Sequence, residues 1–278
     1  MSRQDKQILK RIAGVLAAVL FVGWFLFWPL NYYIETPGTA DNLKSYVTVK
    51  GHPDKHKGSY MITSVYLQQA RPATYIWAHF DPQATIEKAS DVTGGQSGAT
   101  YNKVQNFYMK SAINEAITVA YKAAHQEYTK QYLGIYVLEV EKQSKFKNDL
   151  KVGDTITEVD GRHFDTAQGY QKYIANQKVG QDLTITYLHN GKKHQTTHKL
   201  IKIMGDRAGI GILLTDNVKI HTKIPVKVDP GQLGGPSGGL MFSLQIYQQV
   251  SGENLRHGRK IAGTGTIAPD GSVGEIGG

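Results

Sequence analysis

Leu150–Gly161 reads LKVGDTITEVDG. Gly153-Asp154 and Asp160-Gly161 are turn signals, and the run between them, TITEV, is β-branched with no helical period. That combination predicts a short strand held between two sharp turns. Working outward, Tyr132–Val140 (YLGIYVLEV) is a strand-like run opened by a glycine. Asp165–Gly180 (DTAQGYQKYIANQKVG) predicts a short helix. Gln181–Leu200 predicts a hairpin turned at Asn190-Gly191, a pair that accepts the positive φ of a two-residue turn. His194 and His198 share one face of that hairpin, too far apart to chelate a metal unaided, and read as surface residues.

This block, from Tyr132 to about Ile203, resembles a PDZ domain. Tyr132-Leu133-Gly134-Ile135 matches the carboxylate-binding loop, LKVGDTITEVDG the strand between turns, and the later helix and hairpin fit as well. The resemblance implies that an extended peptide adds to a sheet edge while loop amides hold its terminal carboxylate, which makes Leu133, Gly134 and Ile135 the candidate peptide-binding residues. A module used only as a spacer or lid would carry the same residues.

The chain has 278 residues, enough for one large core or two modest ones. Lys and Arg number 32 against 23 Asp and Glu, a net charge of +9, part of it in Arg3, Lys6, Lys10 and Arg11. No basic block interleaves with aromatics, so nucleic acid is not an expected partner. With no cysteine, disulfides, thiol catalysis and thiolate metal sites are excluded. From Ile12 to Ile34 no residue is charged, and Trp24, Trp28, Tyr32 and Tyr33 crowd the C-terminal half like an interfacial belt. The expected layout is a cytoplasmic stretch 1–11, a single-pass anchor 12–34, and everything after it outside the cell membrane, because the positive charges precede the span. A cleaved signal peptide is the competing reading, and its apolar region would normally be shorter.

Beyond the anchor, SYVTVKG (45–51) and GSYMITSVYL (58–67) read as strands. The HPDKH between them reads as a solvated loop, with His52 and His56 on no common helix face and no metal expected. NFYMKSAINEAITVAYKAAHQEY (106–128) predicts a helix whose stripe Ala112, Ile113, Ala116, Ile117, Ala120 and Ala124 is mostly small and permits close packing.

In QLGGPSGGLMF (232–242), one hydroxyl is stripped of bulky neighbours where a loop becomes a helix. Pro236 suits a helix start, and Ser237 and Gly238 offer N–H groups with no intrahelical partner. Those amides and the helix dipole favour negative charge, which suits an acyl-transfer nucleophile with a backbone oxyanion hole. A tight turn or a phosphate loop is the plainer reading, although neither the Walker ending nor the dinucleotide spacing is present. PSGG also echoes trypsin-like serine proteases, but His125 in KAAHQEY is the only near match for their histidine.

GGPSGGLMFSLQIY (234–247) and IAGTGTIAPDGSVGEIGG (261–278), with TPG (36–38) and the MKSAINEA helix, resemble the membrane-anchored, PDZ-containing Lon-like serine proteases. The resemblance implies an α+β chain: a transmembrane helix, then a Lon-type α/β protease domain in two parts, 36–131 and 204–278, interrupted by a PDZ domain at 132–203. It implies an ATP-independent endopeptidase with a Ser-Lys dyad, acting on extracytoplasmic peptides or small envelope proteins without a cofactor. Ser237 would be the nucleophile, the N–H groups of Ser237 and Gly238 the oxyanion hole, and Thr264 the group that orients the lysine. The family's lysine follows the Ile-Gly-Gly motif and falls beyond Gly278, so a chain ending there is expected to be inactive. Gly238 stands where the family often has Ala, and Gly234 where many members have Asp. A non-catalytic, membrane-anchored peptide-binding adaptor is the alternative; homo-oligomerisation is left open.

Overall fold

The computed structural model describes residues 3–274 and Ile276, leaving aside the side chain of Met204. The chain divides into two compact units, Met1–Ala40 with Thr63–Gly98, and Asp41–Ile62 with Ala99–Gly278.

The first unit opens with α1 (Arg3–Phe27), a helix long and apolar enough to cross a membrane. It is shorter at its C-terminal end than the uncharged run predicts. Pro29 lacks an N–H and disfavours helical backbone at the preceding residue, so the helix stops at Phe27. Tyr32 instead begins strand β1 (Tyr32–Asn42), where Tyr33 and Ile34 are buried rather than facing lipid. Strands β2 (Val47–Val49) and β3 (Ser59–Gln69) follow, the former belonging to the second unit. Helix α2 (Pro72–Ala78), strand β4 (Thr85–Lys88) and helix α3 (Ala89–Thr93) complete the first unit. β4 pairs antiparallel with β1 from Tyr32↔Lys88 to Glu35↔Thr85. A small core of Ile34, Ala70 and Ala78 is covered by Leu30, Tyr32, Tyr75 and Ile86.

The second unit holds two larger cores. Helix α4 (Gly98–Ala123) starts earlier than the sequence suggests and leads into β5 (Tyr128–Val140); His125 sits in the intervening turn with φ 52°, not on the helix. β6 (Thr155–Val159), α5 (Ala167–Ala175), and the hairpin β7 (Asp182–His189) and β8 (Lys192–Lys199) follow. Next come the two-stranded β9 (Ile201–Lys202) and β10 (Ala208–Gly209), then β11 (Ile212–Thr222). Five of these strands form one antiparallel sheet in the order β11-β5-β6-β7-β8. The expected turns are in place: Asp154 accepts the Lys151 N–H at 2.8 Å, and Asn190 and Gly191 both have positive φ. Ile135, Val137, Phe146, Leu150, Ile156, Leu183 and Ile185 fill this core. Its boundary differs from the expected one near residue 203, because β11 pairs with β5 along its whole length and carries the sheet to Thr222.

The other core draws on segments before and after that sheet. Leu43, Val47, Tyr60 and Ile62 meet Met109, Ala116, Ala120 and Tyr121 of α4, and Met241, Phe242, Ile246 and Val250 of α6 (Gly239–Ser251). β12 (Val226–Val228) pairs with β2, β13 (Lys260–Gly263) runs parallel to Ser59–Ile62, and β14 (Thr266–Ile267) pairs with β15 (Val273–Gly274). The small residues of α4 let α6 approach closely: a Cβ on Gly239 would sit 3.6 Å from the Ala112 carbonyl oxygen. Nearer its start, α4 stacks Phe107 on Tyr136 of β5, ring centroids 3.6 Å apart, in a smaller cluster with Val104 and Leu138.

A buried ion pair fastens this core. Arg256, fully buried, donates from Nη1 and Nη2 to the two oxygens of Asp54 at 2.7 and 2.8 Å. Gln245 adds a bond to the same carboxylate at 3.0 Å, and the Arg256 guanidinium lies 5.2 Å from the Tyr60 ring centroid. The HPDKH stretch is therefore not a solvated loop at its centre.

Candidate functional site

After β12, Asp229-Pro230-Gly231 turns the chain, with Gly231 at φ 60° and its N–H donated to Asp229 Oδ1 at 3.2 Å. Leu233 then reaches the core, and Gly234 and Gly235 lie on α4. The Gly235 N–H donates to the Gln105 carbonyl at 3.0 Å, at φ 82°, a conformation that glycine adopts without strain. Ser237 follows, half-buried, and α6 begins two residues later with Gly238 as its N-cap.

The Ser237 carbonyl accepts two hydrogen bonds, from Thr264 Oγ1 at 2.8 Å and from the Gly265 N–H at 2.6 Å. Leu240 N–H in turn donates to the Gly265 carbonyl at 2.9 Å. In a planar trans peptide, the N–H points opposite to the C=O of the same unit. Pinning the Ser237 carbonyl therefore fixes the direction of the Gly238 N–H. Among the described residues, the Ser237 hydroxyl and the N–H groups of Ser237 and Gly238 have no hydrogen-bond partner. Thr264, expected to orient a lysine, is placed on the Ser237 carbonyl. Gly277 and Gly278 lie outside the described residues, and the expected lysine falls beyond them.

The residues expected to cradle a peptide carboxylate are elsewhere. Leu133, Gly134 and Ile135 are not in a loop but inside β5, where Gly134 faces Asn217 of β11 and Ile135 faces Ile156 of β6. The pairing with β6 covers only Ile135 and Tyr136, and Leu133 falls at an irregularity in the pairing with β11. Gly134 is needed for another reason: at φ 132° its Cβ would lie 2.3 Å from the Ile156 carbonyl oxygen. Gly134→Ala should destabilise the sheet by roughly 3 kcal/mol, combining backbone strain with a clash against main chain. Thermal unfolding followed by circular dichroism would reveal it.

The sheet has two edge strands, β11 and β8. Helix α5 packs against β10 and β11, and Asp216 of β11 accepts the Ala167 N–H at the start of α5 at 2.7 Å. Strand and helix therefore lie side by side. Ile210-Gly211 leads into β11, with Gly211 at φ 68°. Ser144 Oγ donates to the Ile210 carbonyl, and Glu141 N–H donates to the Gly211 carbonyl at 3.0 Å. Both carbonyls are held on the side of Ser144 and Glu141, so the N–H groups of Gly211 and Ile212 are turned away from them. The N–H groups of Ile210 and Gly211 have no partner among the described residues. The signal for this loop was present in Gly209-Ile210-Gly211-Ile212 ahead of a strand, the same apolar-Gly-apolar pattern as Leu133-Gly134-Ile135.

A family model for PDZ domains matches residues 100–200. The chain contains a PDZ domain. Three solved structures are similar to it. The PDZ domain of an SdrC-like protein from Listeria monocytogenes is 38% identical over 30% of this chain and 90% of its own, with a TM-score of 0.29. That of an SdrC-like protein from Listeria innocua is also 38% identical, over 29% and 92%, with a TM-score of 0.29. The second domain of a Listeria protein, solved in solution, is 39% identical over 31% and 88%, with a TM-score of 0.29. No curated protein matches the chain. PDZ domains bind peptides or proteins by adding a strand to a sheet edge, and β11, just past the matched residues, is one of the two edge strands of this sheet.

Proposed function

We propose that this protein is a membrane-anchored serine peptidase whose PDZ domain captures extended peptides. The observation that carries the catalytic reading is the clamp at Ser237: its carbonyl is fixed by Thr264 and Gly265 while its hydroxyl and two successive N–H groups are left unengaged. Burial at the mouth of a helix adds a field that favours an oxyanion. The Lon-like motifs supply the rest of the reading. Ser237 Oγ attacks the scissile carbonyl carbon, its proton passes to the lysine expected after Ile-Gly-Gly, and the oxyanion is held by the Ser237 and Gly238 N–H groups. Collapse expels the amine, which takes the proton, and water then hydrolyses the acyl-serine. A free lysine has a pKa near ~10.4, so burial or positive neighbours must lower it for this task. The peptide lies antiparallel to β11 beside α5, with Ile210 and Gly211 N–H groups at its carboxylate.

The second reading is a membrane-bound adaptor without catalysis. It is favoured by the edge strand β11 lying beside α5 and following the glycine-containing turn 209–211, an arrangement that requires none of residues 232–238. One experiment separates the two. The natural full-length protein and its Ser237→Ala variant are incubated with a mixture of secreted proteins, and new termini are counted by mass spectrometry. Cleavage by the first alone is expected; equal cleavage by both leaves the adaptor.

A further inference from the structure

Helix α2 carries an apolar face that the first unit does not cover. Pro72 and Ala78 are buried, and Tyr75 stacks on Tyr32 with ring centroids 5.1 Å apart. The opposite face is Ala73, Ile76, Trp77 and Phe80, spaced at three and four residues, the last in the turn formed by Phe80 N–H on the Trp77 carbonyl. Ile76 and Trp77 are each 51% exposed, and Phe80 is 82% exposed. Three large apolar side chains side by side are not ordinary surface composition, and they mark a contact with something else.

The neighbouring element says what that is. α2 packs beside the C-terminal end of α1, the helix able to span a bilayer. Leu30 N–H donates to the Ala70 carbonyl at 2.8 Å, and Gln69 Nε2 donates to the Leu30 carbonyl at 3.2 Å. The Arg71 guanidinium sits 5.8 Å from the Phe27 ring centroid. These links hold α2 at the level where α1 would leave the hydrocarbon. Tryptophan favours that level, and an arginine there meets lipid phosphate. A cavity of about 420 Å³ between Phe27, Pro29, Gln68, Gln69, Arg71 and Thr74 places polar groups beside the same apolar surface.

We infer that α2 is a second membrane contact, lying in the phospholipid interface with Ile76, Trp77 and Phe80 inserted among the acyl chains and Arg71 at the headgroups. The inference rests on the reading of α1 as an anchor. Its consequence is that the first unit is seated on the bilayer at two points, which limits its tilt about α1.

The test uses the full chain in phosphatidylcholine–phosphatidylglycerol vesicles. The protein has three tryptophans, so Trp24→Phe with Trp28→Phe leaves Trp77 as the sole reporter. Flotation with the vesicles is checked first, and Trp77 fluorescence is then compared in lipids brominated near the headgroup end or deep in the acyl chain. Quenching of at least about twofold by the shallow label, and less by the deep one, is the expected outcome. Ile76→Ser with Phe80→Ser, at exposed positions, should weaken it. Flotation without quenching of Trp77 overturns the inference alone; failure to float overturns the anchor and the inference together.

Discussion

On the proposed peptidase reading, Ser237→Ala should lower peptide cleavage by about four to six orders of magnitude and leave peptide capture by the PDZ domain unchanged. The size follows from removing a nucleophile outright, for which no neighbouring group substitutes. The independence follows from the elements involved: capture is assigned to β11, α5 and the Ile210-Gly211 amides, which are separate from the serine loop 232–238. Thr264→Val is the companion variant. It removes one of two donors to the Ser237 carbonyl and leaves the Gly265 N–H, so the Gly238 N–H keeps its direction less firmly. A loss of about 1 kcal/mol of transition-state stabilisation, near tenfold, is expected, falling on kcat rather than KM. A purely structural role for Thr264 would instead lower the unfolding temperature with kcat unchanged.

Arg256→Met should destabilise the second unit by about 3–5 kcal/mol, because it leaves the Asp54 carboxylate buried without its bidentate partner. Replacing both residues, with Asp54→Leu, should recover part of that loss, since no orphaned charge remains. Unfolding of the full chain by denaturant in detergent micelles would measure both. The pair also gives an acid signature. Burial pulls the Asp54 pKa upward, but hydrogen bonds from Arg256 and Gln245 and the charges of Arg256 and Lys44 outweigh it and hold the pKa down at about 2. An unfolded Asp titrates near ~3.9. The folded pKa is the lower one, so the contribution is fully present above pH ~4 and is lost as pH falls through about 2. It amounts to roughly 2 kcal/mol, and this part of the pH dependence should vanish in the Asp54→Leu/Arg256→Met protein.

What could be read from the chain was local. The turns at Gly153-Asp154 and Asn190-Gly191 and the alanine stripe of α4 each depend on residues within one or two turns of backbone. The end of α1 was misplaced because an uncharged run counts Tyr32 to Ile34 as readily as Phe25 to Phe27, while Pro29 decides where helix gives way to strand. The peptide loop was ambiguous for a different reason. YLGI and GIGI present the same apolar-Gly-apolar pattern, and only the strand pairing reveals that the first lies within β5 and the second leads into the edge strand β11. Asp54 looked like a loop residue because its partner, Arg256, is 202 positions away. At the serine, the unhindered hydroxyl was legible from its glycines. The clamp from Thr264 and Gly265 was not, since it is made by one side-chain hydroxyl and one main-chain N–H brought back by β13.

The pairing of β5 with β11 runs to its root, where Tyr128 lies opposite Thr222. The polypeptide thus departs for the PDZ domain and returns from it along adjacent tracks. Severing both tracks and splicing the stumps with a tight turn would shorten a ribbon without moving its base. A cassette joined in this manner is exchangeable, and a foreign recognition domain with neighbouring termini could be grafted there without disturbing the core beneath it.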